Sequence, residues 1–257
     1  MPQNKESDNH SINLWQTETL RTTAFVSALI DEQTWWIDLL KENPEKRTWQ
    51  KKDGLQQEEG SFGGGKLTLG IQPFRIDWLL NSTDESRQEE TNFPIIGPFA
   101  ETLNKFLGLV LSWFELKTCP PVMRLAFGAI LLQPVKDLHT GYIEISKYLP
   151  DVKFISEGSS DFLFQISRPR VSISSIKGLR INRLTKWSVA SINALQFSLS
   201  SPPLKYREGL KSFACRLELD INTAQDFKGE LNREQLPQIF KELVEIRKEI
   251  SIKGDIP

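Results

Sequence analysis

The stretch Phe213-Ala-Cys-Arg-Leu-Glu-Leu-Asp-Ile-Asn222 decides how the chain folds. Leu217, Leu219 and Ile221 alternate with Glu218, Asp220 and Asn222. Successive side chains of a strand point to opposite faces, so this period-two pattern describes a strand that is dry on one side and wet on the other. Strands of that kind build antiparallel sheets with one covered and one solvated face.

The same reading extends in both directions. Upstream, residues 162–174, 179–186 and 189–200 are further strand candidates, rich in β-compatible residues. Downstream, Leu236, Ile239, Phe240, Leu243, Ile246 and Ile250 recur at helical spacing and predict a terminal helix over 233–251, with Pro237 in its first turn. In the first half, residues 22–30 read as a strand. A short helix carries Trp35, Trp36, Leu39 and Leu40, and strands over 48–57 and 66–80 flank a glycine-rich turn. The clearest helix opens at Gly97-Pro98, buries Phe99, Leu103, Phe106, Leu107, Val110, Leu111 and Phe114, and stops at Pro120-Pro121. A near-continuous apolar strand follows over 122–132, then a short helix over 137–148. The order predicts an α+β protein with a mostly antiparallel sheet and helices on one face. It also fits two related α+β halves, 19–135 and 136–257, behind a flexible tail at 1–18.

Composition narrows the chemistry. Two histidines, His10 and His139, and two cysteines, Cys119 and Cys215, leave no HExxH pair, three-histidine zinc site or four-thiolate site. No metal, cofactor or catalytic set is expected, and the reading leans away from an enzyme. Cysteine scarcity fits a reducing cytoplasm. No secretory signal is visible in the first 22 residues, and the longest apolar run, Phe106–Phe114, is too short to span a bilayer.

Two motifs invite sharper readings. Gly60-Ser-Phe-Gly-Gly-Gly65-Lys66 has phosphate-loop spacing, but Leu67 stands where a hydroxyl should reach magnesium, and Leu67-Thr-Leu-Gly-Ile71 alternates like a strand. A hairpin turn is the expectation. Glu218 and Asp220 share one strand face and, with Lys228, suggest an alternative: a metal-dependent hydrolase or nuclease.

The charge distribution is the anomaly. Residues 162–207 contain no acid in 46 positions, where the average composition would place about six. They hold Arg168, Arg170, Lys177, Arg180, Arg183, Lys186, Lys205 and Arg207. The formal charge of −1 is a near-cancellation of −7 before this window, +8 within it and −2 after it. Arg168, Arg170, Lys177, Arg180, Arg183 and Lys186, with Trp187 beside them, form the candidate anion- or partner-binding face. Nucleic acid, an acidic protein surface and internal neutralisation by the acidic half remain open alternatives.

Trp113-Phe114 leading into Met123-Arg-Leu-Ala-Phe-Gly128, then Arg216-Leu-Glu-Leu-Asp-Ile221 and the closing helix, give the chain a layout that resembles a sporadically distributed, uncharacterised family of bacterial and archaeal proteins. The family's Arg-Tyr-Val-Asn-Arg-type central-strand signature is absent, and Arg124 alone is carried over from it. The resemblance implies fold rather than activity, and a mobile or defence-associated gene setting. The resulting expectation is a non-enzymatic accessory or adaptor protein of the prokaryotic cytoplasm. It would bind an acidic protein surface or nucleic acid through 168–186 and would not enter membranes. Self-association into a homo-oligomer is compatible with the sequence.

Overall fold

The computed structural model describes residues 14–28, 33–50, 52, 54–83, 93–153, 155, 157–174, 176–198 and 205–256, with backbone alone for 194–198 and 205–210. Of the expected tail, residues 1–13 lie outside this set, as does most of the polar segment after Asn81, from 84 to 92.

In chain order the elements are β1 (Gln16–Val26), α1 (Trp35–Leu40), β2 (Lys46–Gln50), β3 (Leu55–Phe62), β4 (Gly65–Gln72), β5 (Arg75–Asn81), β6 (Gly97–Pro98), α2 (Phe99–Glu115) and β7 (Val122–Val135). They continue with α3 (Leu138–Tyr148), β8 (Leu163–Ser167), β9 (Arg170–Val171), β10 (Arg180–Ser198), β11 (Lys205–Thr223) and α4 (Leu236–Lys253). The strands form one antiparallel sheet in the order β2-β3-β4-β5-β1-β7-β11-β10-β8, with β6 beside β1 and β9 beside β10. Strand accounts for 44% of the chain and helix for 26%, so the α+β class holds with the sheet dominant.

The two halves read from the sequence meet within this sheet. β7 of the first half pairs with β11 of the second from Ala126↔Asn222 to Val135↔Phe213. One hydrogen-bonded ladder therefore crosses the proposed boundary.

Alternation assigns the two faces. On β11, Cys215, Leu217, Leu219 and Ile221 are buried on the dry side, whereas Arg216, Glu218, Asp220 and Asn222 lie on the other. Leu20 and Ala24 of β1, Trp78 and Leu80 of β5, and Phe127 and Leu131 of β7 join the dry side. Helices α2, α3 and α4 cover it, with α3 against β10 and β11 and α4 against β7 and β11. Trp15, Trp35, Trp36, Trp78, Trp113 and Trp187 are all at most 1% exposed. Each such ring removes roughly 150–250 Å² from water, about 4–6 kcal/mol of gross transfer free energy. Trp113 makes edge contacts with Trp35 and Trp78 at centroid separations of 5.6 and 6.3 Å, which ties α2 to α1 and β5. Trp35, Trp36 and Trp113 are therefore core residues.

Several local expectations are met and others shift. Gly63 and Gly64 turn the β3–β4 hairpin with φ of 59° and 93°, a left-handed conformation that glycine adopts without steric cost. Lys66 begins β4 rather than a helix and pairs with Glu59 across the hairpin at 2.5 Å. The strand expected over 66–80 is two strands, β4 and β5, turned at Pro73-Phe74. The two strands expected over 179–200 are one long strand, β10. No helix among the described residues is long and apolar enough to cross a membrane.

Candidate binding site on the open face of the sheet

The basic window does not form one face. On β10, Arg183 and Trp187 point to the helix-covered side and Lys186 to the other, because neighbouring positions alternate. Trp187 is fully buried and stacks on Tyr148 at 5.3 Å, so it belongs to the core rather than to a partner surface. Arg183 is 5% exposed and donates from Nε to the Arg168 carbonyl at 2.7 Å. Burial pushes its guanidinium below the ordinary range.

The remaining cations are largely claimed by acids. Arg168 grips Asp255 through two bonds of 2.8 and 2.7 Å. Arg170 lies 3.6 Å from Glu242 and 4.0 Å from Glu249 on α4. Lys186 pairs with Glu218 at 3.0 Å. Lys177 and Arg180 are exposed and have no side-chain partner among the described residues. The side chains of Lys205 and Arg207 lie outside the described set. Of the window's cations, Arg168 and Arg170 are therefore paired by the C-terminal helix and its end, and Lys186 by β11.

Glu242 anchors this arrangement. It is 5% exposed, accepts from the Ser172 hydroxyl at 2.7 Å and from the Ile173 amide at 3.0 Å, and faces Arg170. Glu242→Ala leaves that amide without its acceptor and Arg170 without its nearest carboxylate, while Ser172 keeps Ser174, and should destabilise the fold by about 2 kcal/mol. Urea unfolding would measure this. Glu242→Gln, which keeps one acceptor oxygen, should lose less, and equal losses would contradict the account.

The opposite face of the sheet is open and carries a concavity of about 410 Å³, with a second of about 170 Å³ beside it. Both are lined by Arg21 and Asp220. Strand register explains the geometry. Leu79, Arg21, Gly128, Asp220 and Leu184 are consecutive cross-strand partners on β5, β1, β7, β11 and β10. Gly128 sits in the middle of the row without a side chain. A Cβ placed there would lie 3.7 Å from Nε and Nη2 of Arg21, so the guanidinium extends over the glycine.

Neighbouring rows carry charges that are satisfied internally. Arg216 bonds Glu18 at 2.5 Å and Glu218 at 3.0 Å, and Glu218 also holds Lys186. Partial burial would raise the Glu218 carboxyl, but the bonds from Lys186 and Arg216 outweigh it and hold it below its ordinary value. For Glu18 burial prevails over Arg216, and its carboxyl is raised. On the other side, Arg75 pairs with Asp77 at 2.6 Å, and Arg124 donates to the Thr223 carbonyl and the Asn222 side chain, both at 3.0 Å. Arg75 and Arg124 also flank the Phe25 ring, 5.9 and 5.3 Å from its centroid.

Against this background Arg21 stands apart. Among the described residues it has no hydrogen bond and no ion pair. Asp220 accepts one bond, from Asn222 at 3.0 Å, and has no cation within pairing distance among them. Glu218 and Asp220 do share the open face, as their spacing dictates. Among the described residues, however, no three His, Cys, Asp or Glu side chains gather as a metal site. Cys119 and Cys215 are buried free thiols, pushed by desolvation to about 11 and about 12.

Arg21 carries no motif in the sequence, and it lies one residue before the strand expected over 22–30. Its signal was the alternation of Leu20, Thr22 and Ala24 with Arg21, Thr23 and Phe25. No protein-family model matches the chain, and no curated protein matches its sequence significantly.

Proposed function

We propose that this chain is a non-enzymatic accessory or adaptor protein that binds a protein partner through the open face of its sheet. The observation that carries the reading is Arg21. It has no acceptor among the described residues and, unlike the exposed Arg180 at the end of β10, it lies in a concavity large enough for ligand side chains. A guanidinium in such a setting is a ready receptor for a carboxylate.

The charge balance favours a protein over nucleic acid. Glu18, Asp77, Glu218 and Asp220 are interspersed with the cations of the open face, and a phosphate backbone would meet these carboxylates at every step. The basic residues of 168–186 contribute less than the sequence suggests, since four of the six cations are already partnered. The prokaryotic cytoplasm, and the defence-associated setting implied by the family resemblance, complete the proposal.

A random heptapeptide phage library selected on the full-length immobilised protein tests it. Peptides should be enriched on the wild type and not on a folded Arg21→Ala/Asp220→Asn variant. Absence of enrichment on the wild type, or enrichment unaffected by the two substitutions, overturns the reading. In parallel, labelled single-stranded RNA and duplex DNA are titrated at low and high salt. Salt-sensitive binding that is lost in the variant would transfer the surface to nucleic acid.

A further inference from the structure

We infer that the open face selects an extended peptide segment whose alternate side chains read apolar, acidic, basic, apolar. This rests on the proposal that the open face binds a protein partner, and it names what that partner must present.

The argument starts from the row Leu79, Arg21, Gly128, Asp220, Leu184. Its chemistry is apolar, cationic, empty, anionic, apolar. Neighbouring strands lie about 4.8 Å apart, so the four steps from Leu79 to Leu184 span roughly 19 Å. An extended peptide rises about 3.4 Å per residue, and the side chains on one of its sides recur every 6.8 Å or so. Four alternate residues therefore span roughly 20 Å. A peptide crossing the strands can set an apolar side chain on Leu79, a carboxylate on Arg21, a cation on Asp220 and a second apolar side chain on Leu184.

Both charged positions are open to this pairing. Arg21 has no acceptor among the described residues, and its planar fork suits a carboxylate. Asp220 is oriented by Asn222 through one oxygen, which leaves the second for a ligand cation. Gly128 keeps the space between them clear, where any larger residue would fill it. Ile130 adds an apolar wall beside the row. The charges also restrict the ligand. Two acidic side chains would place one against Asp220, and two basic ones would place one against Arg21. The row reads equivalently from either end, so chain direction is left free and the pairing of one acid with one base is the specificity element.

Isothermal calorimetry with synthetic peptides tests this on the full chain. The probe is acetyl-Leu-Ser-Glu-Ser-Lys-Ser-Leu-amide, compared with versions carrying Glu at both charged positions or Lys at both. The mixed peptide should bind about tenfold more tightly than either like-charged one, the scale of one charge-assisted hydrogen-bonded pair. Arg21→Glu should invert the preference, so that the double-Lys peptide binds best, and thermal melting would verify that this variant is folded. Inversion cannot arise from general damage to the sheet.

Equal binding of the three peptides, or no inversion in Arg21→Glu, overturns the inference. The phage selection separates its failure from that of the underlying proposal. Enrichment that depends on Arg21 and Asp220 but shows another pattern overturns the peptide code alone. Absence of any enrichment overturns both.

Discussion

Gly254→Ala is expected to cost the fold about 4 kcal/mol and to lower the melting temperature by about 10 °C. Gly254 ends α4 with φ of 82° and ψ of −151°, a region that residues with a Cβ rarely enter. Space is the larger obstacle. A methyl group there would overlap the Tyr148 carbonyl, with the Cβ 2.6 Å from its carbon. That carbonyl is already engaged, since it accepts the Asp255 amide at 2.9 Å. Relief requires the chain after α4 to swing away, which breaks this bond and pulls Asp255 from Arg168. The Arg168 side chain is a third exposed, so the ion pair itself contributes little, about 1 kcal/mol or less. The methyl overlap and the backbone strain dominate. Gly178→Ala supplies the control: its φ is also 82°, but a Cβ there meets nothing within 4 Å among the described residues. That variant should lose only about 1 kcal/mol for the backbone conformation. Thermal and urea unfolding of the pair measure the difference, and comparable losses would refute the steric account.

The same C-terminal segment shows where the sequence could be read and where it could not. Local periodicity transmits faithfully. The alternation of Leu217, Leu219 and Ile221 with Glu218, Asp220 and Asn222 places each side chain on the face it occupies, and the stripe from Leu236 to Ile250 becomes the buried side of α4. The turn at Pro73-Phe74 is marked by a proline, which cannot continue a central strand, but the alternation that resumes on its far side masks the break. The basic window misled for two physical reasons. A run that is continuous in sequence is divided by the strand's period of two, which sends Arg183 and Trp187 inward and Lys186 outward. The acids that pair Arg168 and Arg170, which are Glu242, Glu249 and Asp255, lie some seventy or more residues downstream, so that pairing depends on how α4 docks. The candidate site was hidden for a related reason. Arg21, Gly128 and Asp220 become one row only when β1, β7 and β11 are set side by side, and no local pattern contains that order.

Arg247→Met is expected to stabilise the protein by about 2 kcal/mol, against the usual direction of core substitutions. Arg247 lies on the buried side of α4 and is 0% exposed. Its guanidinium sits over the Phe127 ring at 3.7 Å from the centroid and 5.5 Å from that of Phe99. None of its three nitrogens has a hydrogen-bond partner among the described residues. Desolvation drives its pKa well below the ordinary arginine range, the signature of a cation held without compensation. Stacking on desolvated aromatic rings returns about 2 kcal/mol. Removing an ion from water costs several kcal/mol even after relaxation, so the balance is unfavourable. Methionine preserves an unbranched stem of similar reach and fills gaps adaptably, without the charge or the unpaired donors. The melting temperature should rise by about 5 °C. Arg247→Ala separates charge from volume: it also removes the cation but opens a cavity beneath Phe99 and Phe127, and it should be less stable than the methionine variant by about 2 kcal/mol or more. A methionine variant that melts below the wild type would mean that the aromatic cage outweighs desolvation. The guanidinium would then be a net source of the cohesion between α2, α4 and β7.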